Sequence, residues 1–314
     1  MVSIRPGAES LRSYKTFIEN ARTGNIIKPL SLPLETLQQA TKGLRAGELT
    51  VIAGYEGMGK SLIASQIFFH GAEHAQVDKT TGLQDQFVYC TLEMDDLQII
   101  GRFVMQRTGI DSEKLSDPTL LSDSERSKID ALFTDMGSWP FAFLDDGGLE
   151  TSRIDIELDK IKELGHPRLV VVDYIQLLGD AGTDSKSLES ASKRLKQIAR
   201  NHKTHVIAIS SMNRNSDDIS VPNSKSLRGS HGIAHNADNV WVVHRPRIMS
   251  DAWSEVWDNA AILKILKQRS GRSGEHYLGW NDSNITFRDL LPSEKRNLLK
   301  PDQQQNGPQN MNRW

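Results

Sequence analysis

Thiols are almost absent from this 314-residue chain, in which Cys90 is the single cysteine. One cysteine excludes a disulfide framework and a thiolate metal cluster. Its setting, the apolar run "FVYCTL", fits a small core residue better than a nucleophile. Long apolar runs are missing as well. None approaches the ~20 residues that cross a bilayer, so no membrane association is expected. The opening residues, "MVSIRPGAESLRSYK", lack the apolar centre of an export signal. These absences together predict an intracellular, cytoplasmic protein. A basic excess is also lacking, the formal net charge being −2. A nucleic-acid partner therefore finds no global basic stripe, and any contact has to come from local loops, or from loops repeated around an oligomer. No internal repeat is visible, and the length suits one large α/β domain or two small ones.

What the chain does have is organised around Gly54-Tyr55-Glu56-Gly57-Met58-Gly59-Lys60-Ser61. This stretch fits G-x-x-x-x-G-K-[ST], a phosphate-binding loop. Before it, "ELTVIAG" reads as a short buried strand; after it, "SLIASQIFFHGAEHA" carries apolar residues at helical spacing. A strand, a glycine-rich turn and a helix start are what the chemistry needs. Backbone N–H groups close around phosphates and the helix N-terminus adds its positive dipole end. Lys60 offers a point charge to the β- and γ-phosphates, and Ser61 a hydroxyl ligand for Mg²⁺.

The rest alternates between strand and helix patterns. "FVYCTL", "PFAFLDD", "RLVVVDYIQLL" and "THVIAISSMNR" read as strands, and amphipathic stretches lie between them. "LETSRIDIELDKIKELG" reads as a helix closed by Gly165, and the polar residues 111–137 as two short helices. "NVWVVHRP", "AAILKILKQR", "EHYLGW" and "NITFRDL" read as late strands, the last few antiparallel. The predicted fold is α/β, with a mainly parallel central sheet covered on both faces and a late antiparallel edge. An N-terminal arm over residues 1–34 contains an amphipathic helix with Leu11, Tyr14, Phe17 and Ile18 on one side. The core domain spans 35–291, and residues 292–314, rich in Gln, Asn and Pro, are expected to be disordered.

Ligands in such sheets bind at the C-terminal strand ends. Lys60, Glu93, Asp173 and Ser211 all fall at predicted strand ends or just beyond. Asp173 closes "LVVVD", the Walker B arrangement of four apolar residues and a carboxylate near the Mg²⁺. Glu93 can face the γ-phosphate as base or orienter, although position alone favours a solvated loop acid. Asp145 and Asp146 hold the same kind of position at another strand end. Lys267 and Arg269, alternate residues ending a strand, reach one side. A guanidinium there could serve a neighbour's γ-phosphate, while spacing alone favours a basic edge-strand end before a hairpin. His231 and His235 lie four apart with no third metal ligand nearby.

As a set, "GLRAGELTVIAGYEGMGKS", "TLEM", "LVVVDYIQLL", "VIAISSMNR", "SLRGSHGIAHNADNV" and "ILKQRSGRSGEHYLGW" resemble the RecA-like motor domain of DnaB-type replicative helicases. That group includes phage primase-helicases and the mitochondrial helicase Twinkle. The resemblance covers roughly residues 35–290. It implies a RecA-like P-loop ATPase core and a ring, expected to be a hexamer, that moves 5′→3′ on single-stranded DNA to unwind a fork. ATP (or a dNTP) and Mg²⁺ are the implied cofactors. Lys60 and Ser61 would hold phosphates and metal, Glu93 would be the catalytic carboxylate, and Asp173 would support the metal. Arg269 would be the trans-acting finger with Lys267 its companion. Loops at about Gly179–Ser187 and Asn213–Lys225 would line a channel, with Lys186, Arg214, Lys225 and Arg228 as candidate DNA contacts. The N-terminal helix would dock on the neighbouring protomer.

Two departures stand out. Relatives in the family carry Gln or His where this chain has Ser211, the γ-phosphate sensor that links to the DNA loop. The chain also shows neither a primase module nor a helical collar domain, so a free-standing motor is expected. It would be phage-encoded or bacterial, with a separate primase, polymerase or loader. Two other readings use the same core: a filament-forming recombinase or recombination mediator, and a non-translocating ATPase that assists assembly or loading.

Overall fold

The apolar runs of the sequence become the middle of one sheet. In chain order its strands are β1 (Leu49–Gly54), β2 (Gln84–Thr91), β3 (Phe141–Asp145), β4 (Gly165–Asp173), β5 (His205–Ser211), β6 (Asn239–His244), β7 (Ala260–Gln268), β8 (Gly274–Asn281) and β9 (Thr286–Asp289). The structure, a computed structural model, describes residues 6–23, 28–77, 82–182, 184–212, 231–250 and 253–300. Across the sheet the order is β3-β2-β4-β5-β1-β6-β7-β8-β9. The strands from β3 to β6 pair in parallel, and β7, β8 and β9 return antiparallel. The expected parallel sheet with a late antiparallel edge is the fold observed.

All six residues of β1 are buried, as are the last seven of β4. Burial of every side chain, on both sides of the pleat, requires cover on both faces, which is why these strands are continuous apolar runs. The helices are α1 (Gly7–Thr23), α2 (Glu35–Thr41), α3 (Lys60–Glu73), α4 (Asp96–Thr108), α5 (Ser112–Ser116), α6 (Asp123–Met136), α7 (Thr151–Ile161), α8 (Ser185–His202), α9 (His231–Asn236), α10 (Pro246–Met249) and α11 (Pro292–Leu298). α3 packs over β1, β2, β4 and β5, and also meets α4 and β9. Surrounded in this way, it buries nine of its residues between Leu62 and Ala72 and shows little amphipathic character. α8 lies against β5 and β1 through Leu188, Ala191, Leu195, Ile198 and Ala199, the one-sided stripe of a helix facing solvent on its other side. Among the described residues no helix is long and apolar enough to cross a membrane.

The fold corrects the sequence reading in four places. Gly165 does not close α7. It opens β4, where a Cβ would stand 1.8 Å from the carbonyl oxygen of Gln84 on β2, so the glycine serves close strand approach. β4 stops at Asp173, and residues 175–177 form a 3-10 turn. Residues 111–137 hold one five-residue helix, a 3-10 turn at Pro118–Leu120, and the 14-residue α6, which a Ser122–Glu125 capping box starts. Residues 292–298 are helical rather than disordered. Leu298 is buried against Trp253 and Trp257, and Arg288 grips Glu294 with two bonds of 2.7 Å. Burial of one leucine and a bidentate ion pair outweigh a polar composition here. Residues 301–314 lie outside the described residues.

At the start of β5, His205 is fully buried between Thr50 and Arg45. Its Nδ1–H donates to the Arg45 carbonyl at 2.8 Å, which leaves Nε2 to accept from the Thr50 hydroxyl at 2.9 Å. The Thr50 oxygen accepts in turn from Asn239 Nδ2 at 3.0 Å. Burial pushes the imidazole pKa down to about 4. The unfolded chain therefore binds a proton that the folded chain refuses as pH falls from about 6.5 towards 4. Folding stability is complete above that window and drops by about 3 kcal/mol across it. Urea denaturation at pH 7 and pH 4.5 checks this, and His205→Gln should flatten the loss. An unchanged pH slope in that variant would refute the assignment.

Candidate nucleotide site

The C-terminal edge of the parallel strands gathers the predicted loop and carboxylates. Gly54 ends β1 and Ser211 ends β5, paired directly across the sheet; Thr91 and Asp173 are the matching pair at the ends of β2 and β4. Lys60 and Ser61 open α3, and the first helical bond runs from Ile63 N–H to the Gly59 carbonyl at 3.1 Å. The N–H groups of the first helical turn are the ones that an anion site at a helix start uses. Gly59 sits at φ +92°, and a Cβ there would meet the Phe287 ring at 2.7 Å. Both the backbone and the late antiparallel strands thus demand glycine at this point. Met58 and Tyr55 are buried, which pins the loop to the core.

Asp173 is 4% exposed. It accepts from the Ser61 hydroxyl at 3.1 Å and from the Tyr89 hydroxyl at 2.8 Å. Burial raises its carboxyl pKa, against the pull of these two bonds. Lys60 donates to the Tyr55 carbonyl at 2.8 Å. Burial lowers its ammonium pKa, and Asp173, Glu93 and Glu56 oppose that shift in decreasing order. Glu93 is exposed on the turn after β2, close enough to act on the charges of Lys60 and Asp173. The Thr91 hydroxyl donates to the Met94 carbonyl and fixes that turn. A serine hydroxyl beside a buried carboxylate is a pair of hard oxygen donors, the kind Mg²⁺ prefers. Asp145 ends β3 and Asp146 follows it, on the far side of β2 from Asp173. A further cluster, His70, Glu73 and His74, lies at the other end of α3. Its carboxylate is already held by two Arg107 nitrogens at 2.7 and 3.1 Å.

Lys267 and Arg269 are at the opposite edge. β7 runs antiparallel to β6, so its last residue, Gln268, pairs with Asn239 at the foot of β6. Asn239 pairs in turn with Thr50, so the loop end of β1 lies four strand steps away, roughly 13 Å at about 3.3 Å per residue. Arg269 Nη1 donates to Asp238 at 2.6 Å with its side chain 69% exposed. Lys267 Nζ donates to the carbonyls of Ala234, His235 and Ala237 at 3.2, 3.1 and 2.6 Å. The two cations therefore share one patch, as their spacing predicted, and that patch is remote from Lys60 of the same copy.

Residues 30–289 match the family described as the DnaB-like helicase C terminal domain. The chain belongs to that family. The replicative DNA helicase DnaB of Pasteurella multocida is 27% identical over 283 residues, covering 87% of this chain and 58% of the relative. The DnaB of Mycoplasma genitalium is 27% identical over 278 residues, with 83% and 56% covered. This DnaB-like domain thus spans a little over half the length of the curated relatives it matches. A DnaB-like replicative helicase, solved in relation to its interactions with primase, superposes with a TM-score of 0.75 at 22% identity. It covers 92% of this chain and 68% of that one. A solved ATPase domain gives 0.76 at 21% identity, with 92% and 100% covered. At these identities the two structures establish the fold.

Three features of the DnaB-like domain escaped the sequence reading. Tyr89, buried on β2, holds the second oxygen of Asp173. Gln176, on the 3-10 turn after Asp173, clamps the end of β5: its Nε2 donates to the Ser211 carbonyl at 2.9 Å and to the Ser210 hydroxyl at 3.1 Å. The backbone of Ser211 is thereby held by an amide that follows the neighbouring strand end. Arg245, just past β6, lies over the Trp280 ring at 3.7 Å, and its N–H donates to Met58 of the loop at 3.2 Å. Each contact joins residues far apart in the chain, and no local pattern announces it. Among the candidate DNA contacts, Lys186 is exposed at the start of α8. Arg214, Lys225 and Arg228 lie outside the described residues.

Proposed function

We propose that this DnaB-like domain is the motor of a ring-shaped replicative DNA helicase, a hexamer that hydrolyses ATP or a dNTP while moving 5′→3′ on single-stranded DNA. The supporting observation is the separation of Arg269 from Lys60 across the sheet. A finger at the foot of β7 meets phosphate only in the adjacent copy, so sites form between subunits. Lys60 and the loop N–H groups would hold the phosphates, and Ser61 and Asp173 would hold Mg²⁺, which would supply neutralisation of phosphate charge. Glu93 takes the proton of the attacking water. Ser211, steadied by Gln176, reports the γ-phosphate to the segment that follows β5, which carries Arg214, Lys225 and Arg228.

Arg245 lies over Trp280, which is itself buried, so the pair closes the packing behind the loop and the Arg245 backbone N–H braces Met58. Leu11, Tyr14 and Ile18 on α1 are exposed. The groove lined by Met94, Leu97, Met105 and Leu115 offers an apolar seat on the next copy. A primase, polymerase or loader would act with it, in a bacterial or phage-infected cytoplasm. Electron microscopy with a non-hydrolysable ATP analogue and forked DNA, with fork unwinding measured in parallel, tests the reading. Rings that unwind support it; filaments with strand exchange, or assembly without DNA stimulation, reject it.

A further inference from the structure

The foot of β1 carries a buried carboxylate that the nucleotide site does not use. Asp238, 2% exposed, immediately precedes β6. Its Oδ2 accepts from Leu49 N–H at 2.8 Å and from Lys196 Nζ at 2.6 Å. Its Oδ1 accepts from Arg269 Nη1 at 2.6 Å. The backbone is fastened as well: Asp238 N–H donates to the Leu49 carbonyl at 2.9 Å, and Arg269 N–H donates to the Asp238 carbonyl at 3.1 Å. Burial alone would raise the carboxyl pKa, but Lys196, Leu49 and Arg269 together hold it below the ordinary range. The group is therefore an anion at neutral pH.

A buried anion needs compensation, and one oxygen already receives it from an ammonium and a backbone N–H. The other oxygen is left for Arg269. Lys267 does not compete, because its ammonium is spent on three carbonyls at the end of α9. Lys196 is tied down too, through the Gly47 carbonyl at 2.6 Å. Everything around the carboxylate is fixed except the exposed guanidinium. A free arginine on a surface visits many rotamers, and a short charge-assisted bond to a rigid acceptor removes most of them. The bond engages one nitrogen, Nη1, so the remaining donors stay available for a phosphate.

We propose that Asp238 is the positioning residue for Arg269, presenting its guanidinium from the subunit edge to the nucleotide held by the next copy. This rests on the reading of Arg269 as a trans-acting finger. Asp238 touches no substrate; it acts by restricting the finger. Because it is bonded to the first residue of β1, the same strand that ends in the phosphate loop also anchors the group sent to the neighbour.

The test is a double-mutant cycle on the full chain, with ssDNA-stimulated ATP hydrolysis as readout. Asp238→Asn should lower kcat by about tenfold or more while KM for ATP stays within about twofold, as expected when a contact made in the transition state is weakened. In an Arg269→Ala background the same change should cost nothing further. Asp238→Asn with Lys196→Met removes both buried charges together; it should keep the fold if the single variant fails and still show the kcat loss. An additional loss in the Arg269→Ala background, or a raised KM with unchanged kcat, would overturn the proposal and make Asp238 structural only. Should Arg269→Ala itself leave kcat untouched, the trans-acting reading falls first and the proposal falls with it.

Discussion

Two variants that are each inactive alone, Lys60→Ala and Arg269→Ala, are expected to regain hydrolysis when their subunits are mixed. On the proposed reading Lys60→Ala removes the cation that would cradle the phosphates, and Arg269→Ala removes a finger of a kind worth about 10³–10⁵ in rate. A composite interface takes its loop from the Arg269→Ala subunit and its finger from the Lys60→Ala subunit. Both elements there are intact. In a random equal mixture about one quarter of head-to-tail interfaces are of this kind. Single-turnover ATP hydrolysis is the suitable measurement, because it counts competent sites without requiring the ring to cycle. The recovery should appear only in mixtures and should vanish on dilution below assembly. Co-assembled mixtures that stay as inactive as their parents would end the shared-site reading. Full activity of Arg269→Ala alone would do the same.

The second large effect is at Glu93. Glu93→Gln should cut kcat by about 10²–10⁴, the span that a positioned base contributes, while nucleotide binding and ring assembly persist. The physical ground is the contrast between two carboxylates on adjacent strand ends. Asp173 is buried and committed to Ser61 and Tyr89, so it suits a metal ligand and not a proton acceptor. Glu93 is exposed, on a turn fixed by the Thr91–Met94 contact, and its amide isostere should leave that turn intact. Binding of a fluorescent ATP analogue, measured beside the turnover rate, separates the two effects. Wild-type turnover in Glu93→Gln would transfer the base role elsewhere.

Much of this was legible before the fold. The eight-residue loop, the run ending at Asp173 and the strand ending at Ser211 are local patterns, and parallel pairing then brings their ends to one edge. The parallel order could not tell which residues steady them. Gln176 reaches Ser211 over 35 positions and Tyr89 reaches Asp173 over 84, and neither distance leaves a trace in periodicity. Gly165 misled because a glycine after a helix normally ends it, whereas here the Gln84 backbone passes too close for any side chain. The tail misled because composition registers Gln, Asn and Pro but not that Leu298 finds two tryptophans to pack against. Asp238 went unremarked for a related reason: its three partners come from β1, α8 and the end of β7.

One turn of direction in the sheet has an arithmetic consequence. Since β7 runs back against β6, the proposed shared site gives every copy a socket at one end of its strands and a plug at the other. A closed circle of such copies leaves neither spare. An open spiral always has one unfilled socket and one idle plug, at opposite lips of the gap. Fuel bound at that lip would wait unspent until the gap closes or moves on.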